Sequence, residues 1–315
     1  MNTLERQLES YLAIRRGLGF RLSTEERILR RFVDFLHQQK ARHITVRWFL
    51  KWKETFGHAS QHTWSHRAVI VRIFAQWLSG IDPRHEVLPK DLIPGRARRG
   101  RPYIYSDQEI ARIVEEAERL RCMNGIRGPT FATFFGLIAV TGLRISEALA
   151  LNNDDVDLDS GVLTIRQGKS GKQRLAPLTK STVDRLRVYV KERDRLLGYV
   201  PQPFFVGDAG ERPDDCSARY NFAVVCQRIG LRAPQKYRKH GRGPRIHDLR
   251  HTFAVRTMMD WYRSGKDPDR EMVRLSTYLG HTKPASTYWY IEAVPELLKL
   301  ASDRATRLRG LEGGR

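Results

Sequence analysis

The sequence predicts a mainly α-helical protein of two domains, with a small antiparallel β-sheet in the second domain. Three observations predict this fold class. Apolar residues recur at helical spacing through most of the chain. The segment 88–105 mixes Pro, Gly and Arg without apolar periodicity, which is typical of a linker. After Gly161 the spacing changes to the alternation of strands, on both sides of a Gly-rich turn.

The first domain, residues 1–87, is predicted to be helical throughout. Ser23-Thr-Glu-Glu26 has the pattern of a capping box, so a helix should begin there. Two later helices carry aromatic residues at helical spacing, and the second of them should end at Gly80. These aromatic residues are expected to form a core rather than to stack on bases: Trp48, Phe49, Trp52, Trp64 and Phe74.

The second domain, residues 106–305, should begin at another capping box, Ser106-Asp-Gln-Glu109. The almost wholly apolar run 131–140 predicts a buried helix. Pro295 fits the first turn of a last helix, and residues 306–315 are expected to form a frayed tail.

A hairpin is predicted within the second domain. Residues 161–167 and 173–178 alternate like strands, and Gly168-Lys-Ser-Gly-Lys would form the turn between them. A phosphate-binding P-loop is rejected for this turn, because it joins two strands and its glycine spacing does not match.

The chain carries 56 Lys and Arg against 35 Asp and Glu, a net charge of +21. Residues 1–103 alone carry twenty basic and nine acidic residues. A protein this basic binds nucleic acid or an anionic membrane surface. Since no run of ~18 uncharged apolar residues occurs, and the N-terminus lacks the apolar core of a signal peptide, we expect double-stranded DNA as the partner and no membrane.

Several cations are candidate phosphate contacts, and the basic linker could follow the DNA backbone. Each can equally be a solvated surface charge. The candidates are Lys51, Lys53, Arg67 and Arg72 in the first domain, Arg98 and Arg99 in the linker, and Lys172 in the hairpin.

The three cysteines, Cys122, Cys216 and Cys226, match neither a metal-ligand spacing nor an even set of disulfides. We expect them to be small hydrophobic residues in a reduced, cytoplasmic protein.

The final third of the chain holds a group of residues suited to phosphate chemistry. His247 and Arg250 are three positions apart, so they share one face of a predicted helix. His281 adds a second imidazole, and Tyr290, nine residues later, adds a phenol that could act as a nucleophile. Because guanidinium groups match phosphate oxygens, the pattern predicts covalent chemistry at a phosphodiester.

Five short motifs resemble, in their order and spacing, those of the tyrosine recombinase (phage integrase) family. The resemblance covers about residues 104–305, and the first domain is similar to the family's helical core-binding domain. The motifs are Thr141-Gly-Leu-Arg144-Ile-Ser-Glu, Gly168-Lys169-Ser-Gly-Lys, His247-Asp-Leu-Arg250-His, Leu279-Gly-His281 and Tyr290.

The resemblance implies a role for each motif. Arg144 and Arg250 would hold the non-bridging oxygens of the scissile phosphate, and Tyr290 would attack phosphorus to form a 3′-phosphotyrosyl link. Lys169 would protonate the leaving 5′-oxygen. His247 would assist proton transfer at the nucleophile and His281 would hydrogen-bond the phosphate.

At the level of the molecule, the resemblance implies a site-specific DNA recombinase or integrase that acts as a homotetramer on two DNA sites through a Holliday junction, with or without a partner recombinase. Cofactors and metal ions are not expected, because the covalent link conserves the phosphodiester energy. The last helix could pack on a neighbouring protomer, as in the family, or on its own domain.

Other interpretations stay open at single residues. Arg144 could be an ordinary ion-pair partner of Glu147, and Lys172 competes with Lys169 for the role of acid. His251 would be structural or would bind the DNA backbone. The other nearby phenols, those of Tyr278 and Tyr288, would serve in packing, as would Leu249 and Phe253.

Two other functions remain possible for the whole chain. One is a catalytically silent DNA-binding protein with an architectural or regulatory role. The other is a metal-dependent nuclease using His247, His251 and His281, which the scarcity of carboxylates in these motifs disfavours.

Overall fold

A computed structural model describes residues 3–55, 57, 59–95, 100–166, 173–233, 243–280 and 285–312 of the chain. The chain divides into two compact units, Met1–Gly100 and Arg101–Arg315. Most described residues are helical, and a small antiparallel sheet lies in the second unit, which confirms the predicted fold class.

In its described part the first unit consists of four helices, α1 (Thr3–Gly17), α2 (Ser23–Gln38), α3 (Val46–Thr55) and α4 (Gln61–Ser79). They bury their apolar faces in one shared core. The aromatic residues expected there are confirmed as part of it: Phe49, Trp52, Trp64 and Phe74 are buried, and Trp48 packs against them. Gly80 caps the end of α4, as predicted.

The capping box predicted at Ser23–Glu26 is wrong. Leu22 is the residue before α2, with a φ of 49°, and its side chain makes no capping hydrogen bond. The Glu26 carboxylate instead accepts a hydrogen bond of 2.8 Å from Arg30, one turn along α2. An ion pair on the helix surface has therefore replaced the expected cap.

The second unit contains, in its described part, the helices α5 (Asp107–Glu118), α6 (Arg127–Thr141), α7 (Ile145–Leu149), α8 (Lys180–Leu197), α9 (Asp215–Arg228), α10 (Ile246–Arg263), α11 (Pro268–Tyr278), α12 (Ala285–Ala293) and α13 (Pro295–Glu312). The capping box at the start of α5 is confirmed. The Ser106 N–H donates to the Glu109 carboxylate at 2.8 Å, and the Glu109 N–H donates to the Ser106 hydroxyl at 3.1 Å. Nearly all of α6 is buried, as its apolar sequence predicted.

The sheet has three antiparallel strands in the order β1 (Val156–Asp157), β2 (Val162–Ile165) and β3 (Arg174–Pro177). Leu163 pairs with Ala176, and both are buried in the main core of the unit. The predicted hairpin is thus confirmed, while its turn lies outside the described residues. β1 was not predicted, because two residues are too few to show an alternating pattern.

Gly142 ends α6 just before Arg144. Its φ of +63° lies in the left-handed region, and its N–H bonds to Ile138 O at 2.9 Å. A Cβ on this residue would lie 2.5 Å from the Phe253 ring of α10. Glycine is therefore needed twice, for the backbone conformation and for the close approach of α10.

We expect Gly142→Ala to destabilise the second unit by roughly 3 kcal/mol. The left-handed conformation costs about 1–2 kcal/mol for a residue with a Cβ, and the displaced Phe253 ring adds a packing cost. Gly198→Ala is the matched control: Gly198 ends α8 at a φ of +76°, and a Cβ added there would have no other atom within 4 Å. Urea unfolding followed by tryptophan fluorescence measures both losses. Equal losses would contradict the importance of the Phe253 contact.

α13 packs on its own unit. Leu297 is buried in a cluster with Met258 of α10, and Arg304 donates to Lys266 O at 2.7 Å. Within the single chain, the helix is thus docked on its own domain. The helix runs on to Glu312, through residues 306–312 that were expected to be frayed.

The expected linker, residues 88–105, is packed at both ends. Leu88 and Ile93 are buried in the core of the first unit. Tyr105 is buried in the second unit, where its hydroxyl donates to Arg245 O at 3.0 Å. Arg98 and Arg99 lie outside the described residues.

Candidate active site

Arg144 lies at the turn between α6 and α7. Its backbone N–H donates to Glu147 Oε2 at 2.9 Å, which caps α7. Its guanidinium donates to Glu147 Oε1 at 2.6 Å and to Gly280 O at 2.7 Å. The ion pair with Glu147, which the sequence offered as an ordinary alternative, is thus present. The pair also orients the guanidinium. The Arg144 side chain remains 19% exposed.

Arg250 lies on the first turns of α10 and is 1% exposed. Its two terminal nitrogens donate to the carbonyls of Gly142 and Leu279, each at 2.6 Å. Burial and the charge of Arg144 lower the pKa of Arg250 to about 10. The guanidinium therefore stays positive at neutral pH, in a place where water screens it little.

Arg174, at the start of β3, belongs to the same cluster, although no motif in the sequence singled it out. Two of its nitrogens donate to the two Glu147 oxygens at 3.0 and 2.7 Å. Its Nε donates to Tyr278 O at 2.7 Å. The only signal in the sequence was its place next to the Gly-rich hairpin.

The three arginines bond to three consecutive carbonyls at the end of α11. Arg174 takes that of Tyr278, Arg250 that of Leu279 and Arg144 that of Gly280. These carbonyls form the negative end of the helix dipole, so cations are favoured there. A Cβ on Gly280 would lie 3.1 Å from Arg174 Nη1, so the turn approaches the cluster closely.

Glu147 is the anion at the centre of the cluster. It is 1% exposed, and Arg250 Nη1 lies 4.0 Å from its Oε2, in addition to the bonds from Arg144 and Arg174. Burial would raise the pKa of Glu147, but the hydrogen bonds from Arg174 and the Arg144 backbone outweigh it and hold that pKa below its usual value. Three cations around one carboxylate leave a local excess of two positive charges, which suits a phosphate group.

We expect Glu147→Gln to lower the free energy of unfolding by about 3 kcal/mol, because it leaves the buried Arg250 beside two partly buried cations with no anion between them. Inorganic phosphate should restore part of this loss, since an anion can take the place of the carboxylate. Thermal unfolding with phosphate, against NaCl of equal ionic strength, measures both effects. Glu115→Gln is the control, because it breaks only the exposed ion pair with Arg119. A loss no larger than that of the control would contradict the central role of Glu147.

His247 lies on the same face of α10 as Arg250. Burial, aided by the charge of Arg250, lowers the pKa of His247 to about 4. The imidazole is therefore neutral at neutral pH. Its ring meets that of His251, one turn further along α10, edge to face with 4.5 Å between centroids.

Tyr290, on α12, is 2% exposed. Its hydroxyl lies 2.8 Å from Nδ1 of His251, a residue that was expected to be structural or to bind the DNA backbone. Tyr290 is also close enough to Arg250 for its ionised form to raise the pKa of that guanidinium. The structure therefore brings the predicted nucleophile to the edge of the arginine cluster.

The competing phenols have different surroundings. Tyr278 packs on Phe253 with ring centroids 5.7 Å apart, which confirms the packing role expected for both, and Leu249 is fully buried. Tyr288 was expected to pack as well, but this is wrong, because it is 41% exposed. On α12, Tyr288 and Tyr290 are two residues apart and so point in different directions.

Three predicted residues lie outside the described part of the chain: Lys169 and Lys172 in 167–172, and His281 in 281–284. The described residues nearest to them in sequence include Arg174 and Gly280, which both belong to the arginine cluster.

The candidate phosphate contacts of the first unit lie on α3 and α4. Lys51 is exposed and Lys53 is half-buried. The Arg67 guanidinium lies over the Trp64 ring at 4.5 Å, and burial together with Arg31 and Arg27 lowers its pKa. The Nε of Arg72 is buried without a hydrogen-bond partner in the described structure. Burial beside other cations favours an anion near Arg67.

Among the described residues, no group of three His, Cys, Asp or Glu side chains could hold a metal ion. Within the same part of the chain, every helix is too short or too polar to span a membrane. Cys226 is buried, as expected for a small hydrophobic residue, whereas Cys216 is exposed.

Residues 105–296 match the model of the phage integrase family. The chain belongs to this family. It is 39% identical to a Sinorhizobium fredii protein named as an integrase/recombinase, y4rB, over 98% of each chain. The matched range spans the three arginines of the cluster, Glu147 and Tyr290.

Solved structures of DNA-bound recombinases share the fold of this phage integrase family member. XerH bound to its difH substrate after cleavage superposes with a TM-score of 0.64 and 19% identity, over 89% of this chain and 78% of that one. The Tn1549 transposon integrase bound to transposon right end DNA gives 0.64 and 14%, over 95% and 98%.

Proposed function

We propose that the protein is a site-specific DNA recombinase or integrase that cuts and rejoins DNA through a tyrosine nucleophile. One observation carries the proposal: Tyr290 lies at the edge of a cluster of three arginines, two of them partly exposed, with two positive charges in excess of its buried carboxylate. Family membership and the relatives named as integrases or recombinases support it.

In the proposed cleavage step, Arg144 and Arg250 bind the non-bridging oxygens of the scissile phosphate. They stabilise the charge that builds on these oxygens in the transition state. Tyr290 Oη attacks phosphorus, a 3′-phosphotyrosyl bond forms and the bond from phosphorus to the 5′-oxygen breaks. Both arginines are already held in place by carbonyls and Glu147, so little reorganisation is needed.

The other predicted residues take part in proton transfer and phosphate binding. We propose Lys169 as the acid that protonates the leaving 5′-oxygen, with Lys172 as a backbone contact, and His281 as a hydrogen-bond donor to the phosphate. His247 would assist on the nucleophile's side, where its ring meets that of His251.

Rejoining reverses these steps when a 5′-hydroxyl of the second duplex attacks the phosphotyrosine. Since the phosphotyrosyl bond keeps the energy of the phosphodiester, we propose exchange without ATP or a metal ion, through a Holliday junction. Two sites and four strands imply a homotetramer, or an assembly with a partner recombinase. Because the substrate would be DNA, we propose that the protein acts in the cytoplasm. Transposition is one process in which it could serve, since its fold is similar to that of the Tn1549 transposon integrase.

For the first unit we propose the role of the core-binding domain. Lys51, Lys53, Arg67 and Arg72 would contact phosphates, as would Arg98 and Arg99 between the domains. We keep the domain division that the sequence predicts: a DNA-binding domain of residues 1–87 and a catalytic domain of residues 106–305, joined by residues 88–105.

A covalent-capture selection tests the proposal. The protein is incubated with EDTA and a pool of duplexes that carry a randomised segment and a nick, so that the short fragment bearing the freed 5′-hydroxyl diffuses away after cleavage. Covalent complexes are recovered under denaturing conditions and sequenced. Enrichment of one sequence family is the expected result. Enrichment only in native, non-covalent complexes would favour the silent DNA-binding protein, and dependence on added metal would favour a nuclease.

A further inference from the structure

His251 is the residue that meets the hydroxyl of the proposed nucleophile. Its Nδ1 lies 2.8 Å from Tyr290 Oη, a normal hydrogen-bond distance. Both groups are shielded, since Tyr290 is buried and His251 is half-buried. Bulk water therefore competes little for this hydrogen bond, which can orient the phenol.

The surroundings of His251 hold its ring in one orientation. The ring packs edge to face on His247 of the same helix. It also meets the rings of Trp289, at 5.7 Å, and Tyr290, at 5.3 Å between centroids. A neutral imidazole with its proton on Nε2 presents the lone pair of Nδ1 to the phenol, so that the tyrosine donates and the histidine accepts.

We propose that His251 holds Tyr290 Oη for attack and accepts its proton as the phosphotyrosyl bond forms. This inference rests on the proposed function. In the step, the Tyr290 O–H bond breaks and its proton passes to His251 Nδ1, while the oxygen bonds to phosphorus. The 5′-oxygen leaves with its electron pair and takes a proton from the separate acid, Lys169. When DNA is rejoined, His251 returns its proton to the phenol.

His247 is less suited to accept this proton directly. Its pKa of about 4 makes it a weak base at neutral pH, because it is buried beside Arg250. Its ring instead supports that of His251. The two histidines of the motif His247-Asp-Leu-Arg250-His251 would thus have different tasks, with the second one at the nucleophile.

The first test compares two leaving groups on a suicide substrate from the covalent selection. We expect His251→Asn and His251→Leu to slow covalent adduct formation by about 100-fold or more. A substrate with sulfur in place of the bridging 5′-oxygen needs no acid, so it should restore Lys169→Ala but neither His251 variant. His37→Asn, an exposed site on α2, is the control. Restoration of the His251 variants by sulfur, or rates within about threefold of the wild type, would overturn the proposal.

The second test separates proton acceptance from a merely structural effect. A fluorinated, more acidic tyrosine is incorporated at position 290 by an expanded genetic code. The His251 variants should regain at least tenfold in rate, because less help is needed to remove the phenol proton, whereas Lys169→Ala should not respond. No gain in the His251 variants would contradict proton acceptance. If the unaltered protein forms no adduct at all, it is the proposed function that fails.

Discussion

Tyr290→Phe should abolish the covalent adduct while DNA binding stays unchanged. The substitution removes one oxygen atom, the one that would attack phosphorus, and keeps the ring that fills the cluster with Met258 and Leu297. The loss of one buried hydrogen bond to His251 costs about 1 kcal/mol, too little to unfold the unit. Denaturing electrophoresis of the suicide complex and a DNA mobility shift measure the two quantities.

Tyr288→Phe is the matched control for this variant. It removes the same hydroxyl oxygen from a tyrosine that lies two residues earlier and is exposed. Its adduct should form within about twofold of the wild-type rate. If Tyr288→Phe lost the adduct while Tyr290→Phe kept it, the nucleophile would have been assigned to the wrong phenol.

Arg250→Lys should slow cleavage by about 1,000-fold, although the charge is kept. Arg250 reaches Gly142 O and Leu279 O with two nitrogens of one planar group, and it is this fixed geometry that positions it for a phosphate. A lysine offers a single ammonium and cannot make both contacts while facing an oxyanion. Loss of one such donor typically costs 100- to 1,000-fold, roughly 3–4 kcal/mol of transition-state stabilisation.

Arg245→Lys is the control for this second variant. Arg245 precedes α10, its side chain is mainly exposed and it pairs with Asp248 at 3.0 Å. Single-turnover cleavage of the suicide substrate should be within threefold of the wild type for Arg245→Lys. Near wild-type cleavage by Arg250→Lys would show that charge rather than planar geometry matters at Arg250, and an equal loss in both variants would show that the effect is not specific to Arg250.

Much of the fold could be predicted because it is encoded locally. The capping box at Ser106, the apolar run of α6 and the alternation that forms β2 and β3 each depend on residues close in sequence. Where a nearby ion pair competed with a local signal, as Arg30 does for Glu26, the prediction failed. The packing of Leu88 and Ile93 likewise depends on a distant core and has no local signature.

The candidate site divides along the same line. Arg250 and Tyr290 could be predicted because their motifs have characteristic spacing. In the structure Arg250 belongs to the arginine cluster and Tyr290 lies near it. Arg174 and the central position of Glu147 could not, because they depend on contacts across 27 residues of chain. The partner of Tyr290 was also missed, since His251 reaches it only after α10 and α12 have packed together.

The measurement that tests the central claim most directly is mass spectrometry of the covalent complex. The suicide adduct formed in EDTA is trimmed with nuclease and trypsin, and the modified peptide is fragmented to locate the nucleotide. A nucleotide joined through its 3′-phosphate to Tyr290 is the predicted result. Attachment to Tyr288, to a histidine or to any other residue would contradict the proposed mechanism, as would cleaved DNA with no protein attached.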